Sequence, residues 1–183
     1  IPDSFAIVIK TPNGTIFETG DFKFDFSPIG EKCDYYKMTK LGKEGVLCLL
    51  ADSTNADISQ FSASERKIGE NLNNLFNQIE GRIIVATFAS NVYRVQQILQ
   101  ASINSNRDII VFGHSMEKTI EVASRLKYIT IPKSRIHFGR DLGKLDSKKV
   151  TILCTGSQGE PLAALSKIAK GTHKQIKLFC CSY

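Results

Sequence analysis

Along this chain apolar positions first alternate and later cluster, and the change of pattern separates two regions. Ser4 to Lys10 alternates and is rich in β-branched and aromatic side chains, which predicts a strand. Thr11-Pro12-Asn13-Gly14 is turn chemistry, and Thr15 to Thr19 reads as a returning strand, so the chain opens on a hairpin. The hairpin runs into the polar cluster Gly20-Asp21-Phe22-Lys23-Phe24-Asp25. Residues 27 to 44 are turn-rich and charged, with one weak helical stretch around Tyr36 to Leu41. Gly45 to Ala51 is a continuous apolar run of strand length, followed at once by Asp52-Ser53-Thr54-Asn55. A buried strand that delivers polar residues at its C-terminal end is where α/β proteins place chemistry.

Beyond residue 60 the pattern becomes an alternation of strands and helices. Ser62 or Ser64 can cap a helix through about Ile79, with Ile68, Leu72, Leu75, Phe76 and Ile79 on one face. Strands are predicted over Arg82 to Thr87, Asp108 to Phe112 and Val150 to Cys154. Helices are predicted over Val92 to Ala101, capped by Ser90 or Asn91, over Met116 to Leu126 after the loop Gly113-His114-Ser115, and from about Leu162 to Lys170. Such alternation calls for a mostly parallel sheet covered by helices on both faces. The candidate domain boundary lies where the hairpin pattern gives way, dividing the chain into residues 1–62 and 63–183. No internal repeat or low-complexity tract appears.

With 183 residues, 42% of them apolar, the chain is long enough for a packed core, and 23% charged residues is ordinary for a globular protein. A net charge of +6 and a pI near 9.1 fit a polyanionic partner such as nucleic acid, but on charge alone a surface that happens to be basic is the commoner case. The five cysteines include no CxxC pair, and the odd count without a framework argues for a reduced, cytoplasmic setting. No apolar stretch approaches the roughly 18 residues of a spanning helix, so no membrane association is expected. Ile1 enters a strand almost at once and the chain stops within the apolar run Leu178 to Tyr183, so both ends read as cut edges.

Several polar residues stand where chemistry is possible. Asp21, after Thr19-Gly20 at a strand end, could bridge two divalent metals through its two oxygens, or simply cap a turn. Asp52 could orient a neighbouring group or take part in proton transfer, or form an Asx-turn with Ser53-Thr54-Asn55. Three strand-to-helix corners carry small polar residues: Thr87 to Asn91, Gly113-His114-Ser115, and Thr155 to Gly159. Ser90, Asn91, His114 and Ser115 are the candidates for substrate phosphate there, because amides at a helix start favour anions; ordinary capping needs the same residue types. His114 is the histidine expected to face substrate, and His137 and His173 are expected to be surface or structural. No HExxH pair, Walker loop, GxSxG elbow or GxGxxG is present.

The ordered set of motifs says more than any one of them. IPDSFAIVIKTPNG, TGDFKFDFSPIG, LCLLADSTN, SERKIGENL, GRIIVATFASNVYRVQQ, VFGHSMEKTIEVA and VTILCTGSQGEPLAALSKIAKGTH resemble the corresponding stretches of bacterial ribonuclease J, from Ile1 to about Lys177. That family belongs to the metallo-β-lactamase superfamily and carries a β-CASP insertion. The resemblance implies an α/β fold: part of a metallo-β-lactamase αββα sandwich in 1–62, then a β-CASP domain with a mostly parallel sheet flanked by helices. It implies two zinc ions activating a water that attacks an RNA phosphodiester, in 5′-to-3′ exonuclease and endonuclease modes, on single-stranded RNA bearing a 5′-monophosphate. Asp21 matches the metal-bridging aspartate, and Asp52 matches the first acidic motif of the β-CASP group. The β-CASP domain would clamp RNA against the lactamase domain.

The family's HxHxDH motif falls upstream of Ile1, as does the next metal-ligating His, and two later histidines fall beyond the strand at Ile176-Lys177-Leu178. Of the family's metal ligands Asp21 alone is in this sequence, and one carboxylate cannot hold two zinc ions. The chain by itself is therefore expected to be inactive. The alternatives are a non-catalytic RNA-binding module and an inert piece prone to aggregate through its strand edges. The oligomeric state of the complete enzyme is left open, with a homo-oligomer allowed.

Overall fold

The structure, a computed structural model, describes residues 4–177. Cys180, Cys181 and the rest of the terminal apolar run lie outside the described residues, as do Ile1 to Asp3. The chain divides into two compact units, residues 1–67 and 68–183.

The first unit is built on a three-stranded sheet of order β1-β2-β3. Strands β1 (Ile7–Thr11) and β2 (Gly14–Glu18) form the expected hairpin, in register from Thr11↔Gly14 to Ile7↔Glu18. Helix α1 (Tyr35–Glu44) follows, longer than its weak sequence signal, started by Asp34 whose carboxylate accepts from the Lys37 amide at 3.0 Å. Strand β3 (Cys48–Leu50) pairs in parallel with β2, with Glu18 opposite Leu50. Parallel pairing puts the C-terminal ends of β2 and β3 on the same side, and Asp21 and Asp52 follow those ends.

Helix α2 (Glu65–Gln78) begins in the first unit and continues into the second. The second unit adds β4 (Ile83–Ala86), α3 (Val92–Asn104), β5 (Asp108–Phe112), α4 (His114–Arg125), β6 (Ile136–Phe138), β7 (Val150–Cys154) and α5 (Ala164–Ala169). Its four strands form a wholly parallel sheet of order β4-β7-β5-β6. Strands β5 and β7 are mostly apolar, with Asp108 at the start of one and the buried Thr151 in the other, because both their faces are covered. Side chains alternate across a strand, so Ile109, Val111 and Leu153 meet Phe76 of α2, Leu99 of α3 and Met116 of α4. Ile110, Ile152 and Cys154 face the other way, onto Ile168 of α5 and Ile176. Each such Leu or Ile, fully buried, contributes about 1.5–3 kcal/mol relative to an exposed one.

The structure departs from the sequence expectation in six places. Of the run Gly45 to Ala51, expected as a buried strand, only Cys48–Leu50 is strand, and its residues are exposed, because no second layer covers them among the described residues. Strand β6 was not expected, since three residues between charged neighbours carry too little period to read. Helix α4 starts at His114 rather than Met116, so His114 and Ser115 belong to its first turn and not to a loop. Helix α5 is only six residues long. Leu75 of α2 is 52% exposed, off the face that Phe76 buries. Ile176 and Lys177, expected in a strand, are in none; a strand exists only where a neighbour accepts its hydrogen bonds. Among the described residues no helix is long and apolar enough to cross a membrane.

A single guanidinium closes the lower edge of the parallel sheet. Arg107, 5% exposed, precedes β5 and donates to the carbonyls of Gly81 (2.7 Å), Lys148 (3.1 Å) and Ile79. Those carbonyls lie just before β4 and β7, so one side chain ties the starts of three adjacent strands. Its charge stays delocalised and its fork reaches several acceptors at once, which an ammonium group could not copy. Replacing it as Arg107→Met should destabilise the second unit by roughly 2–3 kcal/mol, because the charge-assisted bonds of a buried guanidinium to three carbonyls are lost. Chemical denaturation followed by a probe in that unit would measure the loss. Cys154 offers a second check, since burial pushes its thiol up to about 11 while Cys33 and Cys48 are exposed. Iodoacetamide at pH 8 should label Cys33 and Cys48 in the folded protein and reach Cys154 only after unfolding, as peptide mapping would reveal.

Candidate functional site

In the first unit the ends of β2 and β3 are joined through Thr19. Its amide donates to the Leu50 carbonyl at 3.0 Å, extending the ladder one residue past both strands. Its hydroxyl accepts from the Asp52 amide at 3.1 Å and donates to the Gly20 carbonyl at 2.8 Å. Gly20 then turns the chain in the left-handed region at φ +58, and a Cβ there would stand 3.0 Å from the Phe5 carbonyl oxygen. Asp21, exposed, leaves this turn with its carbonyl accepting from the Ser4 hydroxyl at 3.3 Å. The Asp52 carboxylate accepts from the amide and the hydroxyl of Thr54, at 3.0 and 2.7 Å, which is Asx-turn geometry. Those two bonds hold its carboxyl below the ordinary carboxylate value. The turn occupies one carboxylate oxygen, Oδ1.

Sequence reasoning passed over Asp25, the most firmly held carboxylate of the unit. It is 9% exposed, and its Oδ1 accepts from the Ser27 amide at 3.0 Å and its Oδ2 from the Glu65 amide at 2.8 Å. Burial pushes its carboxyl up, but these amides, the Ser64 hydroxyl and the charge of Lys23 outweigh that and keep it below its usual range. A usable signal was present in the sequence. Lys23, Asp25 and Ser27 alternate with Phe22, Phe24 and Phe26, the period of an extended segment with a polar and an aromatic side. The aromatic side is exposed, with centroids 5.4 Å apart for Phe22 and Phe24, 6.1 Å for Phe24 and Tyr35, and 5.4 Å for Phe26 and Tyr35.

In the second unit the three polar corners follow β4, β7 and β5, which are consecutive in the sheet. All-parallel pairing therefore brings them to one edge, side by side. After β4, the Thr87 amide donates to the Cys154 carbonyl at 3.1 Å, carrying the ladder into the corner. Asn91 caps α3, its side chain accepting from the Arg94 amide at 3.2 Å, while Ser90 is exposed beside it. After β5, Gly113 begins α4, and His114 and Ser115 stand exposed in the first turn. After β7, Gly156 takes φ +115, and a Cβ there would meet Ala163 Cβ at 2.9 Å and Leu165 Cβ at 3.0 Å, so the tight return needs glycine. Ser157 and Gln158 are exposed on that return. The arrangement offers hydroxyls, one imidazole and helix-start amides along an edge, a set suited to phosphate oxygens.

The other two histidines belong to none of the three corners. His137 lies in β6, its Nε2 3.5 Å from an Asp108 carboxylate that also pairs with Arg135 at 3.2 Å. His173 packs edge-on against Phe112 and accepts at Nδ1 from the Gln175 and Ile176 amides. Burial and the charge of Lys167 lower its pKa. Zinc needs three or four Cys, His, Asp or Glu donors. Among the described residues no three such side chains gather so as to hold a metal ion, so the residues present do not by themselves fit zinc.

Comparison with known proteins agrees with the motif order. Residues 80–180, more than half of the chain, match the family described as Ribonuclease J, beta-CASP domain. Ribonuclease J 1 of Streptococcus pyogenes serotype M3 is 51% identical over 178 residues, covering 97% of this chain and 32% of that protein. Ribonuclease J of Synechocystis is 44% identical over 179 residues, covering 97% of this chain and 28% of that protein. Ribonuclease J of Mycoplasma pneumoniae is 38% identical over 178 residues, covering 97% and 31%. The chain thus spans a third or less of the length of these relatives. The ordered motifs, the helix-flanked parallel sheet and these matches together establish that the chain belongs to the ribonuclease J family and contains its β-CASP domain.

Proposed function

We propose that this chain is a section of a metal-dependent ribonuclease that hydrolyses phosphodiester bonds of single-stranded RNA in RNA processing and decay. The observation that carries the proposal is the chain-long likeness to proteins named Ribonuclease J, up to 51% identical across 97% of this chain. On this reading residues 1–62 are part of a metallo-β-lactamase core and residues 63–183 are the β-CASP domain. The first sheet supports this, because Ile7 and Ile9 of β1 and Leu50 of β3 are exposed on one face of it, as a face is that a further layer covers.

The enzyme works on 5′-monophosphorylated RNA in the cytoplasm, as a 5′-to-3′ exonuclease and an endonuclease, with two zinc ions. Asp21 is the metal ligand contributed by this stretch, and the histidines come from outside it. Asp52 serves the chemistry with its remaining carboxylate oxygen. Ser90, Asn91, His114 and Ser115 hold RNA phosphates at the strand-end edge of the parallel sheet. The net charge of +6 favours the same polyanion.

The test compares the isolated 183-residue chain with a longer protein that includes it, the upstream HxHxDH stretch and the two downstream histidines. The longer protein should cleave 5′-monophosphorylated RNA, lose the activity on chelation and regain it with zinc. Asp21→Ala should lower its kcat/KM by roughly 100-fold and reduce bound zinc. The isolated chain should not cleave. Zinc-dependent cleavage by the isolated chain, or full activity of the Asp21→Ala protein, would overturn the reading.

A further inference from the structure

We infer that Asp25 is a positioning residue, fastening the segment that carries Asp21 to the first turn of α2. This rests on the ribonuclease reading and assigns a role that the metal ligand itself does not explain.

The anchoring is built from alternate side chains of one extended segment. Lys23 donates to the Ala63 carbonyl at 2.6 Å and pairs with the Glu65 carboxylate at 2.9 Å. Asp25 bridges with separate oxygens, one to the Ser27 amide in its own segment and one to the Glu65 amide in the helix. Ser27 and Ser64 share a hydrogen bond between hydroxyls at 2.8 Å, and the Ser64 hydroxyl also lies 3.1 Å from the Ser27 carbonyl. The Tyr35 hydroxyl donates to the Asp25 carbonyl at 3.2 Å, holding the segment from its other side. The bonds from Lys23, Asp25 and Ser27 to Ala63, Ser64 and Glu65 join residues 37 to 42 positions apart in the chain, so local chain geometry does not impose them.

The helix gains from the same contacts. Its first amides have no carbonyl one turn back. Asp25 satisfies the Glu65 amide, and the Ser64 hydroxyl accepts from the Arg66 amide at 3.2 Å. A carboxylate also suits the positive end of the helix dipole. The cap of α2 is therefore supplied partly from the segment that begins at Asp21. Between Gly20, tied to the strand ends, and Asp25, tied to the helix, Asp21 has only four residues of freedom. That is the condition a ligand or reacting group needs to be held without reorganisation.

Asparagine has one carbonyl oxygen where aspartate has two, so Asp25→Asn can keep one of the two amide bonds and Asp25→Ala neither. In the longer protein, at a temperature well below its unfolding midpoint, Asp25→Ala should lower kcat on the order of 10²-fold with KM for RNA within about threefold, and Asp25→Asn should fall between. Hydrogen exchange supplies a readout that does not depend on catalysis. The Ser27 and Glu65 amides should lose protection in Asp25→Ala, and Asp25→Asn should retain one of them. Ser64→Ala, which removes a hydroxyl partner of Asp25 and spares its two amide bonds, should affect kcat less than Asp25→Ala, and Asp25→Asn serves should the alanine variant not fold. Loss of protection with wild-type kcat would overturn the positioning role, and unchanged protection would overturn the anchor itself. If the unaltered longer protein does not cleave RNA, the ribonuclease reading has failed, and hydrogen exchange alone decides whether the anchor exists.

Discussion

The ladder that β7 makes with β4 on one side and β5 on the other is the constraint from which the second unit follows. A parallel strand must be bonded along both edges and covered on both faces to be free of water. For β7 this means Val150 to Cys154 wholly buried, and helices on both sides of the sheet. It also means that the ends of β4, β7 and β5 share an edge. The three polar corners are neighbours because the strands before them are neighbours, and that sheet order comes from burial, not from chemistry at the corners. Arg107 completes the constraint from below, since strands brought together without side-by-side carbonyl partners would leave polar groups dry.

The first unit is organised on a different footing. It has little buried apolar surface of its own, and Phe17 is its one large buried hydrophobic among the described residues. What defines it locally is polar: Thr19 between the strand ends, the Asx-turn at Asp52, and the Lys23–Asp25–Ser27 side of an extended segment gripping the start of α2. Hydrogen bonds of this kind contribute little net stability each, about 1 kcal/mol. They contribute direction instead, because a hydrogen bond fixes the angle as well as the distance of the groups it joins. The hydrophobic and polar parts of the chain thus divide the labour between holding a sheet and aiming side chains.

Much of the fold was legible because its elements repeat a period that local sequence displays. The runs that became β4, β5 and β7 are apolar but for Asp108 and Thr151, the helices α2, α3 and α4 carry one apolar stripe each, and the opening hairpin has its turn residues in place. Where the period was too short to read, as in Ile136-His137-Phe138, the strand was missed. The start of α4 was misplaced by two residues because Gly113 caps it without a side-chain bond, so the usual capping residue was not there to mark it. Asp21 and Asp52 were legible as carboxylates at strand ends. Asp25 was legible only as part of the polar side of an alternating segment, since its partners Ser64 and Glu65 are distant in sequence.

The sequence by itself determined the family, the elements and the two polar strand ends, because motif order and side-chain period are properties of a linear string. Tertiary structure alone decided that the last strand of the second unit enters its middle, that β3 lies beside β2, and that a carboxylate in one segment caps a helix opened by another. Those outcomes depend on which backbone groups and side chains meet across space. Partners of that kind are chosen by burial and hydrogen-bond satisfaction over the whole unit, which no local window of residues contains.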